Sequence, residues 1–389
     1  MPRFPLEVYA RDTALNRIAA IDDCTAVTAV PRYNAVGAYT LELSASSSKA
    51  AHLVEGNGLI IRSLGQTVLS GPLRTVDWTR STSDGGLGKL TVGGVSDETI
   101  LAEATCWPNP TAAIGSQTSS VYKISGVAAE TAMRQLVNIN IGPGAAAARR
   151  IAGLALAPDL GRGPLVTREI NQFDNLLSAL QDIASGLGFR VAFSGGGVEF
   201  QVYEPQDRSQ TARFSFGWGN LQDASYTTTP PTCTKAIVVA GGGSSPRVCK
   251  TYPQTDPLFP ALVVEQFVDL TGVDTASVDL TAQMDQAAAE ALTTGAGQGS
   301  LAISPIDLPK LRYARDYNVG DTVAAQLRGG TWWTDVVREV TLTAAPDGIS
   351  TKATVGSADT GGGDVIARIY RYIAGIKRDV NRVKTRKAG

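Results

Sequence analysis

The chain has 389 residues, 43% of them apolar and 6% aromatic, with 41 glycines and a net charge of −1. That length allows two to four domains with substantial cores, and the near-neutral charge leaves no chain-wide footprint for nucleic acid. No run approaches ~18 consecutive apolar residues, so no membrane span is expected. Residues 1–10, with Arg3, Glu7 and two prolines, do not read as a signal peptide, and folding in a cytoplasm is expected.

The first hundred residues read as short strands. Residues 6–10 and 15–21 alternate weakly, and 25–30 follows. In 37–43, Tyr39, Leu41 and Leu43 share one face opposite Thr40 and Glu42. Residues 59–61, 68–69 and 73–78 continue the series. Residues 81–88 form a turn of Ser, Asp and Gly, and 89–92 resumes the strand pattern. Short strands at this spacing predict a barrel or sandwich.

Composition changes near Cys106. Residues 107–120 are rich in Pro, Thr and Ser and predict a loop. Ser125 is positioned to cap a helix over 127–138, with Ala129, Met133, Leu136 and Val137 on one side. Residues 142–163 are rich in Ala, Gly and Pro and carry Arg149, Arg150 and Arg162. A better helix spans 174–187, where Leu176, Leu177, Leu180, Ile183, Ala184 and Leu187 form an apolar stripe. Gly186 and Gly188 end it. Residues 189–193 and 198–203, joined by Gly195, Gly196 and Gly197, predict a hairpin, which makes this segment an α+β insertion. Strand character returns at 213–216, 235–240 and 262–270, an Ala-rich helix is predicted at 281–294, and strands follow at 322–327, 332–343 and 351–355.

After Gly361, Gly362 and Gly363, apolar residues fall at Ile366, Ile369, Ile373, Ile376, Val380 and Val383, a heptad seam. β-Branched residues at every a and d position favour trimers or higher oligomers over dimers, and Asp379 and Lys384 stand at g and the following e. The plainer alternative is an amphipathic helix packing on its own domain. Between Arg368 and Lys387 there are eight Lys/Arg against one acid. Lys377, Arg378, Arg382, Lys384, Arg386 and Lys387 are candidate contacts for an acidic partner or DNA, a solvated helix face being the usual alternative.

Reactive chemistry is sparse. Cys24, Cys106, Cys233 and Cys249 form no Cys-x-x-Cys pair, and His52 is the sole histidine, so no zinc site is expected. Four reduced, mostly buried thiols are the preferred reading, although Cys233 and Cys249 could meet in one hairpin. A Ser-His-Asp triad would have to use His52, which reads as part of a surface turn. Lys89 follows Gly88, but Leu90 and Ser83 break the P-loop pattern, and Gly295, Gly297 and Gly299 follow a helix instead of opening one. Asp22, Asp23, Asp77, Asp174, Asp182, Asp316 and Asp321 offer carboxylate pairs for glycoside hydrolysis at separations the sequence does not give. Trp107, Trp332 and Trp333 could stack on sugars. No catalytic residue, metal or cofactor is expected.

The run Gly37-Ala38-Tyr39-Thr40-Leu41-Glu42-Leu43, then 53–62 with Gly56 and Gly58, then Ser70-Gly71-Pro72, resembles the first barrel of phage tail-hub proteins. Residues 169–193 resemble their inserted domain and 235–243 the strand that leaves it. Residues 313–323, with Asp316-Tyr317 and Gly320-Asp321, resemble the last barrel. The resemblance spans 8–355 and is nearest to Gp37-like minor tail proteins from siphophages of actinobacteria, contractile-phage hubs being more distant.

The resemblance implies a mainly β chain with α+β insertions. Its parts would be a tube-like β-barrel at 1–105 completed by about 210–250, an inserted α+β domain at 106–209, a small α/β insertion at 251–310 and a second tube-like barrel at 311–360, to which the heptad seam adds a C-terminal coiled-coil helix with basic tail at 361–389. It implies a non-enzymatic homotrimer at the tail tip or baseplate of the virion. Two barrels per chain would make a pseudo-sixfold ring that matches a hexameric tail tube and forms part of the genome-ejection channel. Expected partners are the tail tube, distal tail protein, tape measure and tip or fibre proteins, with transient contact to phage DNA. A peripheral receptor-binding protein that holds cell-wall glycan is the alternative, and a cell-wall hydrolase the third.

Overall fold

The computed structural model describes residues 5–81, 87–242, 245–270, 280–306, 308 and 310–356. The described chain is mainly β. It forms two compact units, one made of residues up to Asp223 together with Ile303–Val355, the other of Ala224–Ala302.

The first unit begins with β1 (Glu7–Arg11), β2 (Arg17–Ala20), β3 (Cys24–Val30), β4 (Ala38–Ser44), β5 (Gly58–Ser63), β6 (Gln66–Thr79) and β7 (Lys89–Val95). As the alternation predicts, Tyr39, Leu41 and Leu43 of β4 are buried. Thr40 and Glu42 on the opposite face are buried as well, at 5% exposure each. β4 is paired on both edges, by β3 and β7, and the Lys89 ammonium meets the Glu42 carboxylate at 2.8 Å. That ion pair lets a charged residue occupy a covered strand.

β6 is long enough to serve two partners, pairing β5 up to Pro72 and β7 from Leu73 onward. At the crossover stands Gly71, where an added Cβ would lie 1.7 Å from the Val95 carbonyl oxygen. Nearby, Arg11 of β1 reaches Asp97 just past β7 in a two-pronged ion pair at 2.9 and 2.5 Å. The two side chains are 3% and 5% exposed, and Ser70 donates to the same carboxylate at 2.5 Å.

The insertion follows α1 (Thr99–Ala102). It comprises β8 (Val121–Ala128), α2 (Ala129–Asn140), β9 (Leu154–Leu156), β10 (Leu165–Asn171), α3 (Leu176–Ile183), β11 (Gly188–Phe193) and β12 (Val198–Tyr203). β8 pairs with β10, and β11, β12 and β9 form a second small sheet. Met133, Leu136 and Val137 of α2 meet Leu176, Leu180 and Ile183 of α3 and Phe189 and Phe200 of the hairpin in one core.

Ser125 does not cap α2, because β8 runs directly into the helix. The first-turn amides of Ala129 and Glu130 donate instead to the Pro164 and Arg162 carbonyls at 3.0 and 3.1 Å. A partner distant in sequence thus satisfies the orphan groups of the helix end. In α3 the cap is Asn175, whose side chain accepts from the Ser178 amide at 3.2 Å. Asn34 and Tyr33 fasten the insertion to the first strands: Asn34 accepts from the Phe189 amide at 2.7 Å, and the Tyr33 hydroxyl donates to the Leu187 carbonyl at 2.9 Å.

Glu130 is expected to make this insertion acid-sensitive. The Arg162 guanidinium donates to its buried carboxylate at 2.9 and 2.8 Å and the Arg162 amide at 2.9 Å, which holds the carboxyl below the ordinary glutamate range. A depressed carboxyl contributes stability that is complete above its unfolded value near ~4.3 and is lost as pH falls through the folded value. Glu130→Gln is expected to cost roughly 1.5–3 kcal/mol at pH 7 and to flatten the stability–pH curve below that region. Parallel curves for the two proteins would refute the assignment.

The first unit continues with β13 (Arg213–Phe214) and the start of β14 (Leu221–Thr229). In the second unit, β15 (Lys235–Gly242) lies between antiparallel β16 (Ser245–Pro253) and parallel β17 (Glu265–Leu270). Met284, Ala288 and Leu292 of α4 (Leu280–Thr294) pack on Ala236, Val238 and Ala240. The hairpin places Cys249 opposite Val239, whereas Cys233 lies before β15 with its amide bonded to the Gly295 carbonyl, so the two sulfurs do not meet. All four cysteines are free and all but Cys249 are buried. Burial pushes the Cys24 and Cys106 thiols up to about 12.

β18 (Gln298–Pro305) leads back to the first unit, which closes with β19 (Thr322–Gln326), β20 (Trp332–Ala345) and β21 (Gly348–Gly356). The main sheet has the order β14-β18-β21-β20-β3-β4-β7-β6-β5-β1-β2. Within it one arrangement occurs twice: β14-β18-β21-β20 repeats as β3-β4-β7-β6. In each copy the last strand, β20 or β6, is 14 residues long and pairs through its first half with a short preceding strand, β19 or β5. The copies join where Leu342, Thr343 and Ala344 of β20 pair antiparallel with Ala29, Thr28 and Val27 of β3.

Candidate functional site

Ile366, Ile369, Ile373, Ile376, Val380, Val383 and the basic residues Lys377, Arg378, Arg382, Lys384, Arg386 and Lys387 lie outside the described residues. The site that can be built is therefore the twice-repeated sheet, its two ends, and a groove beside it.

The groove, a cavity of about 670 Å³, lies between the first half of β6, β11 and the 313–321 segment. Glu98 reaches into it and accepts from the Val191 amide at 3.0 Å, and burial raises its carboxyl above the ordinary glutamate range. Arg208 meets Asp321 at 3.0 Å on the far wall. This lining is polar and cross-bonded: the Ser96 side chain hydrogen-bonds Glu98 and its hydroxyl oxygen also accepts from the Gly37 amide at 2.7 Å.

Of the carboxylates flagged in the sequence, Asp77 lies within β6 and Asp182 within α3, while others serve turns. Asp321 accepts from the amides of Gln206 and Asn318, Asp174 from that of Asn171, and Asp316 from that of Arg312. Asp23 accepts from the Ser47 hydroxyl. His52 ends a short 3-10 turn, Ser48–His52. Among the described residues no group of three or more His, Cys, Asp or Glu side chains could hold a metal ion, and no helix is long and apolar enough to cross a membrane.

The flagged tryptophans are placed as follows. The Arg149 guanidinium lies over Trp107 at 4.2 Å, with Phe173 edge-on at 6.3 Å. Trp332 carries Arg213 at 3.8 Å and meets Trp218 at 5.2 Å between ring centroids, tilted by 39°. Arginines thus already stack on the ring faces a sugar would use. Arg213 and Phe216 fall in the strand predicted at 213–216, which ends at Phe214 and gives way to a 3-10 turn at Phe216–Trp218, and Trp218 has no mark in the sequence. The signal, visible afterwards, is Ser215 and Asn220 bracketing Gly217 and Gly219.

At the ends of the repeat, β14 pairs only with β18, and the second half of β6 only with β7, among the described strands. Apolar side chains are exposed at both ends. Val76, Trp78 and Leu87 are 44%, 61% and 61% exposed by β6, and Phe216 and Trp218 are each 56% exposed just before β14.

No curated protein matches the sequence. Among solved structures, a 43 kDa tail protein of prophage MuSo2 from Shewanella oneidensis superposes with a TM-score of 0.58 at 11% identity, over 90% of this chain and 98% of that one. A tail protein from Neisseria meningitidis MC58 gives 0.59 at 13% identity, over 91% and 97%. Prophage tail protein gp18 from Listeria monocytogenes EGD-e gives 0.50 at 11%, over 96% and 99%. At such identities the likeness is one of fold. The sequence itself matches a family model over residues 5–357, nearly all of the described chain, and the protein belongs to the Siphovirus ReqiPepy6 Gp37-like family of phage tail proteins.

Proposed function

We propose that the chain is the structural hub at the tail tip, a homotrimeric adaptor between a hexameric tail tube and the tip that forms part of the DNA passage. The observation that carries this reading is the four-strand arrangement occurring twice along one sheet. One chain supplies two similar tube-like modules, so three chains supply six, the number needed to meet a hexameric tube. The joint between β20 and β3 supplies a template for the joint between chains, and closed rings require such head-to-tail contacts. The tail tube, distal tail protein, tape measure and tip or fibre proteins are the partners on this reading, and the role is non-enzymatic.

A reconstruction of intact tails tests it, with three copies on the tail axis expected. One copy, six copies or a peripheral position would overturn it. The seam from Ile366 to Val383 gives a second handle. Ile373→Asp places three like charges on one axis, each costing several kcal/mol in effective terms. It is expected to lower incorporation into tails at least tenfold while the β-modules stay folded, and Arg378→Glu to change incorporation far less. Equal incorporation of both variants would remove the coil from the reading.

A further inference from the structure

We propose that the 216–218 turn is an aromatic plug that docks on the β6–β7 edge of the next copy of this chain. The inference rests on the ring reading above and adds which side chains meet. The turn is built to hold its shape. Ser215 accepts from the Gly217 amide at 3.1 Å and donates to the Gln326 side chain at 2.6 Å. The Asn220 side chain accepts from the Ser215 amide at 2.8 Å and donates to the Arg213 carbonyl at 2.7 Å, and Gly219 closes the turn at φ 66°. Phe216 and Trp218 are thereby fixed yet more than half exposed. Rigid aromatic anchors of this kind dominate protein interfaces, because little conformational entropy remains to be lost.

The occupant follows from the joint already present inside the chain. β3 runs antiparallel to β20, so the start of β3 lies towards the end of β20. β14 is the counterpart of β3, and β6 of β20. The same joint made between two copies brings the start of β14 to the end of β6. The plug immediately precedes β14, and among the described residues Val76 and Trp78 at that end of β6 and Leu87 just before β7 are exposed apolar side chains. The two patches differ, so the contact is heterologous: each copy offers the plug on one flank and receives one on the other. A sugar fits the plug less well, since Trp218 and Trp332 are tilted by 39° and share no plane, and the Gln326 carbonyl oxygen is already bonded to Ser215.

The test is short-span crosslinking of the full chain in assembled tails, in a Cys249→Ser background. Trp78→Cys and Trp218→Cys together are expected to give dimers and trimers with a short bis-maleimide, and either substitution alone to give monomers. Crosslinking of Trp78→Cys alone would mean that the patch meets its own copy, which overturns the proposal. Three copies on the axis with no crosslink in the double variant would overturn the plug and leave the ring reading standing. A copy number other than three would remove both. As an independent readout, Trp218→Glu is expected to lower incorporation into tails at least tenfold, with an unchanged thermal midpoint for the isolated chain. Undiminished incorporation counts against the plug.

Discussion

Replacing Asp97 by alanine is expected to cost about 3–5 kcal/mol, among the larger single-residue losses this fold can suffer. The Arg11 guanidinium would stay 3% exposed with no carboxylate to answer it, and the Ser70 hydroxyl would lose its acceptor. The pair ties β1 to the end of β7, strands that are not neighbours in the sheet, so its loss should loosen both. Asp97→Asn keeps one oxygen that can accept from Arg11 and Ser70, loses the second acceptor and the charge, and should lose less than alanine. Urea unfolding of the three proteins decides it. A loss under about 1 kcal/mol for the alanine variant would match an exposed pair and show that the guanidinium finds water.

Gly71→Ala should cost about 3 kcal/mol or more, at or above the upper end for overpacking. The added methyl would meet the Val95 carbonyl oxygen at 1.7 Å and its carbon at 2.7 Å, both backbone atoms that no rotamer change can move. Relief requires β6 to leave β7, which separates the two halves of the crossover. Gly65 gives the contrast. It has φ +80° and open space around it, so alanine there should cost only the left-handed penalty of roughly 1–2 kcal/mol. A Gly71→Ala midpoint no lower than that of Gly65→Ala would show that the strands part without cost.

Local pattern was legible in the sequence where one face or one stripe decided burial. The stripe of α3 and the buried face of β4 both follow from spacing, and α4 was placed to within a residue. What escaped depended on partners far away in the chain. The start of α2 is set by carbonyls of Arg162 and Pro164, and the burial of Glu42 by Lys89 across the sheet. The repeat itself was invisible because β14 and β18, the counterparts of β3 and β4, are separated by residues 230–297. The joint of the repeat pairs residue 342 with residue 29, a contact no local pattern reports. At the candidate site Trp332 stood out by its type, while Phe216 and Trp218 acquire meaning from the turn that fixes them.

The chain leaves for the second unit through β14 and returns through β18, and at the first-unit ends of these strands the Ile306 amide donates to the Asn220 carbonyl at 3.0 Å. Departing and returning chains are pinned side by side there, so the pinned ends make the intervening segment a cassette. Closing a longer excursion between fixed ends raises the entropic cost only logarithmically, about 0.6 kcal/mol per doubling. Between the end of β14 and the start of β18, segments of different length can therefore be exchanged at little added closure cost while β14 and β18 stay in the sheet. The geometric demand falls on the frame, and the tolerance for change falls on what is threaded through it.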